Sequence, residues 1–269
     1  MWRHRQRALS FGADARRYDR ARPGYPAGLV SDLMRDAPRR VLDVGCGTGK
    51  AGLQFAARGC QVVGVEPDPG MAAVAAEQDD RGGSPPPVGG DLTVEVATFE
   101  EWDPRGRTFD LVISGQAWHW VDPQAGPRKV ANVLVDGGRL AAFWNRASYD
   151  DAVRADLDAI YERVAPSIST VSVVRGAVPD AQLGHDLGID GHRDFAPGAS
   201  RIYHWDLNYT RAQYLDLLQT HSDHLMLPAD VLEELLTEIG ALIDRLGGHL
   251  AVRYRTTLRT AVRVPRDRS

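Results

Sequence analysis

Short apolar runs rich in β-branched residues recur along the first half of the chain, separated by stretches with a helical pattern. The runs of strand length are 41–44, 61–66, 92–96, 109–114 and 138–144. The segments 51–57 and 127–135 have apolar positions spaced as in amphipathic helices. Because a helix between two strands serves as a right-handed crossover, the pattern predicts a parallel sheet with helices on its faces.

The pattern changes after Asn145. It predicts helices at 150–164, 211–220 and 229–246, strands at 202–207 and 250–264, and irregular structure at 166–197. The two late strands are typical of a closing antiparallel hairpin, and we expect residues 146–200 to be an insertion. A surface loop is expected at 79–91, which is rich in glycine and proline.

A glycine-rich segment, Asp-x-Gly-x-Gly-x-Gly at 43–49, directly follows the first strand. Glycine at alternate positions allows positive φ and lets a ligand approach the main chain. Open α/β sheets bind ligands at the carboxyl ends of their strands, so the segment predicts a nucleotide-sized site. An incidental glycine turn is the alternative. The candidate binding residues are Asp43, Gly45, Cys46, Gly47 and Gly49.

The spacing within this segment excludes two common nucleotide sites. A dinucleotide fingerprint would need its third glycine at the position of Lys50. A phosphate-binding loop would need serine or threonine in place of Ala51. The second strand ends at Glu66, seventeen residues after Gly49, where a carboxylate can accept hydrogen bonds from both ribose hydroxyls. A surface glutamate at a strand end is the alternative.

The glycine segment followed by Glu66 resembles the class I S-adenosylmethionine-dependent methyltransferases. The resemblance implies an α/β, Rossmann-like fold with a seven-stranded, mostly parallel sheet in the order 3-2-1-4-5-7-6, helices on both faces and an inserted cap. It implies S-adenosylmethionine as cofactor, with Glu66 as the ribose-binding acid. The expected single domain, 1–269, comprises cofactor-covering helices (1–36), a cofactor-binding core (37–145), a substrate cap (146–200) and C-terminal helices with closing strands (201–269).

An aromatic segment, Trp118-His119-Trp120, follows the fourth strand and so is expected beside the glycine segment. It lacks the Asn/Asp-Pro-Pro-Tyr of amino-group methyltransferases and the Pro-Cys of pyrimidine C5 enzymes. It resembles small-molecule methyltransferases of the trans-aconitate and quinone-pathway type. We expect Trp118, Trp120 and Asn145 to contact the acceptor and His119 to be the catalytic base. Alternatively, both tryptophans are core residues and His119 only binds a backbone carbonyl.

Two further segments complete the predicted cofactor site. The segment from Phe11 to Pro26 resembles one that covers the cofactor in related enzymes, where an arginine or a tyrosine such as Tyr18 can meet the methionine carboxylate. Arg22 is the residue expected there, because a guanidinium binds a carboxylate bidentately. An isolated helix with a solvated basic face is the alternative. Thr98 and Phe99 are expected at the adenine, although the family commonly has an aspartate at Thr98. The remaining predicted cofactor contacts are Pro67 and Gln116.

Composition limits the partners of the protein. The net charge of −4 does not favour nucleic acid, and no run of about 18 apolar residues is present, so we expect neither membrane insertion nor secretion. The two cysteines form no CxxC motif, so no disulfide or metal site is expected. The expectation is a cytoplasmic monomer or homodimer that acts on a small-molecule methyl acceptor.

The favoured function is methyl transfer to an oxygen of that acceptor, either a hydroxyl or a carboxylate. A hydroxyl acceptor would gain from a general base, whereas a carboxylate needs none. One alternative is non-methyl chemistry with the same cofactor, and another is a non-catalytic Rossmann-like binding module. Further polar side chains could face the cap but cannot be placed from sequence; they are Tyr149, Tyr203, His221 and His224.

Overall fold

The computed structural model describes residues 14–81, 90–169, 187–189 and 191–265. Within these residues the strands are β1 (Arg40–Val44), β2 (Gln61–Glu66), β3 (Asp91–Val96), β4 (Phe109–Gly115), β5 (Leu134–Ser148), β6 (Ala199–Thr210) and β7 (His249–Val262). The α-helices are α1 (Ala15–Ala21), α2 (Ala27–Leu33), α3 (Gly52–Ala56), α4 (Pro69–Arg81), α5 (Ala125–Val133), α6 (Asp151–Val164), α7 (Pro166–Ser169), α8 (Arg211–Leu218) and α9 (Ala229–Arg245).

The strands form one seven-stranded sheet in the order β3-β2-β1-β4-β5-β7-β6. Strands β1 to β5 are parallel, and β7 runs antiparallel between β5 and β6. The predicted fold class and strand order are therefore confirmed. The order reverses between β1 and β4, which places a ligand crevice at the carboxyl ends of those two strands.

Alternation along β1 divides the core between the two faces of the sheet. Leu42 and Val44 pack into one cluster with Val130 of α5. Val41 points to the other face, where it clusters with Leu29 of α2 and with residues of α3. A third cluster joins α6, α8 and α9 to the end of the β6–β7 hairpin.

Strand β5 extends beyond the predicted segment 138–144 as far as Ser148, because β7 pairs with it over residues 139–148. The pairing runs from Arg139 opposite Val262 to Ser148 opposite Arg253. The preceding helix ends at Val133, two residues before the end of the helical segment predicted at 127–135, and Gly137 lies within β5 at φ +79°. Residues 82–89 of the predicted loop, residues 170–186 of the predicted cap and Phe11 fall outside the described residues.

Candidate active site

The glycine segment forms a tight loop between β1 and α3, termed here the motif loop (residues 45–49). Its backbone is anchored to β2, since Gly45 and Cys46 both donate to the carbonyl of Val65, at 2.8 and 3.2 Å. Gly45 has φ +67°, and a Cβ there would lie 2.5 Å from the Cβ of Ala117. Glycine is therefore required where β1 and β4 end side by side.

Asp43 lies completely buried below the motif loop. Its Oδ2 accepts a hydrogen bond from the backbone N–H of Gly52 at 2.9 Å, whereas Oδ1 has no partner within the described part of the chain. Burial raises the pKa of Asp43 to about 7, and the nearby charge of Glu66 adds to this effect. A buried carboxylate oxygen without a donor is unusual, and it fits a cationic ligand group in the adjacent cleft.

Glu66 ends β2 and supports the motif loop. Its Oε2 accepts from the backbone N–H of Gly47 at 2.9 Å and its Oε1 from that of Asp68 at 3.0 Å. A carboxylate offers about four lone-pair positions, so both oxygens can still accept hydroxyl groups. Burial raises the pKa of Glu66 to about 7. The arrangement fits the ribose-binding role that the sequence predicts.

Residues of the motif loop line two clefts. The first, termed the apolar cleft, encloses about 1000 Å³ including space open to solvent. Its apolar walls come from the ends of β1 and β2, from α4 and from the segments after β3 and β4; they include Val44, Val65, Met71, Phe99 and Trp120. The predicted site residues that line it are Tyr18, Gly45, Gly47, Glu66, Pro67, Thr98, Phe99, Gln116 and Trp120.

The segment predicted to hold adenine lies in the apolar cleft. Its polar groups differ from those common in the family, because Thr98 stands in place of an aspartate. The hydroxyl of Thr98 donates to the Glu101 carboxylate at 2.9 Å, and its oxygen accepts a long hydrogen bond from the backbone N–H of Glu101 at 3.4 Å. One lone pair of this oxygen is therefore left to accept from a ligand. Phe99 is buried and stacks on Trp102, with ring centroids 6.3 Å apart. Glu100, which sequence reasoning missed, also lines the cleft and accepts from the backbone of Asp122.

The second cleft, termed the tyrosine cleft, encloses about 880 Å³ including open solvent. Its walls include Tyr25, Tyr149, Tyr214 and Tyr254. The predicted site residues that line it are Tyr18, Arg22, Asp43, Gly45, Cys46, Gly47, Gln116 and Asn145. The residues common to both linings are Tyr18, Gly45, Gly47, Gly115 and Gln116. The two clefts therefore meet at the motif loop and the end of β4.

Hydroxyl pairs stabilise the wall of the tyrosine cleft. The hydroxyl oxygens of Tyr149 and Tyr214 lie 2.9 Å apart, as do those of Tyr209 and Tyr254. Burial raises the pKa of all four phenols, so they are neutral at ordinary pH. Each pair holds two hydroxyl protons and uses one in the mutual hydrogen bond. Tyr149, Tyr214 and Tyr254 line the cleft and Tyr209 does not, so the second proton can be donated to a ligand oxygen when a lining tyrosine accepts the mutual hydrogen bond.

Arg22 is held at the edge of the tyrosine cleft by α8 and the turn after it. Its Nε donates to the hydroxyl of Thr220 and its Nη2 to the carbonyl of the same residue, both at 2.8 Å. The guanidinium also lies 5.2 Å from the ring centroid of Tyr18. A guanidinium has five N–H donors, so three remain for the carboxylate that the sequence assigns to Arg22.

Asn145 and Gln116 connect elements around the tyrosine cleft. The Asn145 Nδ2 donates to the carbonyl of Gly24 at 2.8 Å, and its Oδ1 accepts from Thr256 at 2.7 Å. Gln116 has φ +59°, and its Nε2 donates to the carbonyl of Asn145 at 3.1 Å. The Asn145 amide thus fixes the N-terminal segment against β7 while it lines the cleft.

The aromatic segment requires a correction to the predicted acceptor contacts. Trp118 is only 3% exposed, donates its indole N–H to the carbonyl of Leu187 and packs in the core cluster of α5. Among the described residues, neither Trp118 nor His119 lines either cleft. Residues 118–120 form a 3₁₀ turn, so neighbouring side chains point to different sides, and only Trp120 reaches a cleft.

His119 contacts the core rather than the acceptor side. Its Nδ1 accepts a hydrogen bond from the indole N–H of Trp144 at 3.2 Å. A ring nitrogen that accepts carries no proton, so the neutral imidazole has its proton on Nε2. In this tautomer Nε2 is a donor, which is unfavourable for the predicted role as base. Gly49 also lies outside both linings; a Cβ there would lie 3.2 Å from the side chain of Leu53 and 3.1 Å from that of Leu92.

Four polar side chains could not be placed from the sequence, and the structure shows that two of them line the tyrosine cleft and two do not. Tyr203 donates to Asp32, away from both clefts. His224 is fully buried behind α8, whereas His221 and Tyr149 line the tyrosine cleft. The described residues contain no group of three or more His, Cys, Asp or Glu arranged to hold a metal. In the same part of the chain, no helix combines the length and apolar character needed to cross a membrane.

Comparison with known proteins identifies a domain in the first half of the chain. Residues 41–138 match the family described as the methyltransferase domain. The match begins in β1 and ends in β5, so it includes the motif loop, Glu66 and the end of β4. The predicted resemblance to the S-adenosylmethionine-dependent methyltransferases is confirmed for this part of the chain.

Curated relatives cover varying parts of the sequence. An uncharacterized methyltransferase of Mycobacterium tuberculosis is 41% identical over 141 residues, which are 52% of this chain and 54% of the relative. The trans-aconitate 2-methyltransferase of Methylobacterium radiotolerans is 26% identical over 71% of this chain and 68% of its own length. A ubiquinone biosynthesis O-methyltransferase of Bradyrhizobium is 36% identical over 38% of each chain. The chain thus spans about half the length of the mycobacterial relative.

Solved structures support the same fold over most of the chain. A protein of Anaeromyxobacter dehalogenans described as a type II methyltransferase superposes with a TM-score of 0.63 at 22% identity. The superposition covers 91% of this chain and 99% of that protein. The similarity therefore extends beyond the matched domain to the C-terminal helices and strands, and at this identity it concerns the fold alone.

Proposed function

We propose that this protein is an S-adenosylmethionine-dependent methyltransferase that transfers a methyl group to an oxygen of a small-molecule acceptor. The observation that carries the proposal is the meeting of two different clefts at the motif loop of a methyltransferase domain. The apolar cleft suits a nucleoside, and the tyrosine cleft suits a second, oxygen-containing molecule.

The residues around the motif loop fit the cofactor group by group. Glu66 can accept from the ribose hydroxyls, and the walls of the apolar cleft can cover adenine. The unpartnered Oδ1 of Asp43 fits the ammonium of a methionine moiety, and the remaining donors of Arg22 fit its carboxylate. When bound, S-adenosylmethionine supplies a sulfonium-activated methyl group, so the protein mainly has to align the acceptor and exclude water.

The tyrosine cleft favours an oxygen acceptor. Its tyrosine pairs offer hydroxyl protons to a ligand oxygen, and their raised pKa values keep these protons in place. Two of the relatives described above support the same class, since their names specify trans-aconitate and an O-methyltransferase.

The proposal also assigns roles to the segments of the chain, a partner, a location and an oligomeric state. We assign residues 1–36 to the covering of the cofactor, 37–145 to its binding, 146–200 to the substrate cap and 201–269 to the closing elements. The proposed partner is a small-molecule methyl acceptor and not nucleic acid, given the net charge of −4. A cytoplasmic monomer or homodimer is the proposed state.

The test is methyl transfer by the purified protein with S-adenosylmethionine carrying a labelled methyl group. Acceptors are offered as classes, namely phenols, alcohols, carboxylates and amines, and the labelled products are identified by mass spectrometry. Label on the oxygen of an acceptor supports the proposal. Label found only on nitrogen, or cofactor consumption without any methylated product, contradicts it and favours a different chemistry at the same site.

A further inference from the structure

We propose that the imidazole of His221 is the general base of the tyrosine cleft and that the acceptor is a hydroxyl compound, a phenol or an alcohol. This inference rests on the proposed function and narrows it. The observation behind it is a histidine in the lining of the tyrosine cleft whose ring nitrogens have no hydrogen-bond partner within the described part of the chain.

The position of His221 is fixed by local structure. The residue follows α8 in a turn, and its backbone N–H donates to the carbonyl of Leu218 at 3.1 Å. Its ring lies beside that of His224, with centroids 5.5 Å apart. One nitrogen of a neutral imidazole is an acceptor and the other a donor, so His221 can receive a proton from an acceptor hydroxyl.

A buried polar group behind His221 holds this arrangement in place. The Nδ1 of His224 lies 2.8 Å from Oδ1 of Asp223, and its Nε2 lies 2.7 Å from the hydroxyl of Tyr161. Burial alone would raise the pKa of Asp223, but its hydrogen bond to His224 lowers that pKa to about 2. Asp223 is therefore ionised and can stabilise positive charge that develops on His221.

The charge state of His221 suits a base. Burial lowers the pKa of His221 well below its ordinary value, and the nearby Arg22 and His224 lower this pKa further. The negative charge of Asp223 acts in the opposite direction but does not outweigh these effects. The imidazole is consequently neutral at neutral pH. The other titratable residues that line the same cleft are Tyr18, Tyr25, Asp43, Cys46, Lys50, Tyr149, Tyr214 and Tyr254.

Asp43 is the rival base in the tyrosine cleft, because it also has an unpartnered oxygen. It lies buried below the motif loop, which we assign to the cofactor, whereas His221 follows α8, whose Leu218 and Tyr214 also line the cleft. Substitution of Asp43 should therefore change cofactor affinity. Substitution of His221 should change turnover instead.

The proposed step balances without a further reactant. His221 removes the proton of the acceptor O–H, while the acceptor oxygen forms a bond to the methyl carbon. The bond between that carbon and sulfur breaks, and its electron pair stays on sulfur as a neutral thioether. The proton on His221 then passes to solvent. A carboxylate acceptor would be ionised already and would leave His221 without a function.

The test measures transfer of a labelled methyl group to a series of phenols from 4-nitrophenol to 4-methoxyphenol, at about pH 8, in full-length protein. A base matters little for 4-nitrophenol, which is largely ionised, and most for the least acidic phenols. His221→Ala should therefore reduce turnover of 4-nitrophenol by less than about tenfold and turnover of 4-methoxyphenol by about a hundredfold or more. Added imidazole should restore part of the lost rate.

Matched variants separate catalysis from folding. His221→Gln keeps the size and polarity of the side chain without its basicity, and it should show the same dependence on phenol acidity. His249→Ala, at an exposed residue of β7, should leave all rates unchanged. S-adenosylhomocysteine should bind both His221 variants with wild-type affinity in titration calorimetry.

Three outcomes would overturn the inference. The first is equal loss of rate along the whole phenol series, and the second is full activity of both His221 variants. The third is a wild-type protein that binds S-adenosylhomocysteine and methylates carboxylates, but methylates none of the phenols and alcohols offered beside them. The proposed function fails separately, when the wild-type protein binds no cofactor or methylates no oxygen acceptor of any class.

Discussion

The carboxylate of Glu66 accepts a hydrogen bond from the backbone N–H of Gly47 at 2.9 Å, which joins the end of β2 to the centre of the motif loop. Both residues line the apolar cleft. Glu66 can therefore have two roles, since it supports the conformation of the loop and presents acceptor positions to a ribose. A change at this carboxylate should affect cofactor binding before it affects the rest of the fold.

Loss of the Glu66 carboxylate should weaken cofactor binding strongly. Hydrogen bonds to charged groups contribute about 1.5 to 3 kcal/mol each, so Glu66→Ala should lower the affinity for S-adenosylhomocysteine roughly tenfold to a thousandfold. Titration calorimetry measures this change. Glu238→Gln, which removes a carboxylate on α9 that lines neither cleft, serves as control and should bind normally. An effect below twofold in Glu66→Ala would mean that the ribose is held elsewhere.

Cofactor binding should weaken below neutral pH. The pKa of Glu66 is raised to about 7 in the free protein, and ribose hydroxyls donate best to the ionised form. Affinity should be constant above about pH 8 and should fall by up to about tenfold per pH unit below pH 7. Calorimetry in buffers of different ionisation enthalpy should detect proton release at about pH 6.5. A flat affinity from about pH 6 to 8 would contradict this account of the Glu66 site.

The stability of the ligand-free protein should depend on pH through Asp43. The folded-state pKa of Asp43, about 7, lies above its ordinary value. The contribution of Asp43 to folding stability is therefore fully present below about pH 4 and is lost as the pH rises to 7. The free energy of unfolding should fall across this window by up to about 1.4 kcal/mol per pH unit relative to Asp43→Asn. Denaturant unfolding of both proteins measures the difference. Identical pH slopes would show that Asp43 is not buried as a free carboxyl group.

His119→Ala should reduce stability more than activity. The substitution leaves the indole N–H of Trp144 without its acceptor, which costs about 1 to 3 kcal/mol for a buried donor. Affinity for S-adenosylhomocysteine and the rate of methyl transfer should stay within about twofold of wild type. Thermal unfolding and a labelled-methyl assay measure the two effects. A rate loss of a hundredfold at unchanged stability would restore His119 as the base.

Most of the fold is predictable because its signals are local. The β-branched runs and the helical segments between them give the parallel strands, and the glycine spacing after Asp43 gives the motif loop. Strand ends are less predictable, since β5 extends to Ser148 only through its pairing with β7. That pairing joins residues more than one hundred positions apart, and no local pattern indicates it.

The tyrosine cleft shows why the acceptor side could not be predicted. Tyr25, Tyr149, Tyr214 and Tyr254 come from four distant parts of the chain, and no spacing relates them. The segment around His119, by contrast, offered a conspicuous local pattern, but its 3₁₀ turn directs Trp118 into the core. A conspicuous cluster of aromatic residues is as typical of a core as of a pocket.

The central claim is that the motif loop holds S-adenosylmethionine, and titration calorimetry with S-adenosylhomocysteine and with NAD tests it most directly. The wild-type protein should bind S-adenosylhomocysteine and not NAD. Gly47→Val, at φ +58° in the lining of both clefts, should lose binding. Gly106→Val carries comparable backbone strain at φ +73°, with nothing within 4 Å of its Cβ, and should bind normally. Absence of binding to the wild type, or equal affinity in Gly47→Val, would contradict the account.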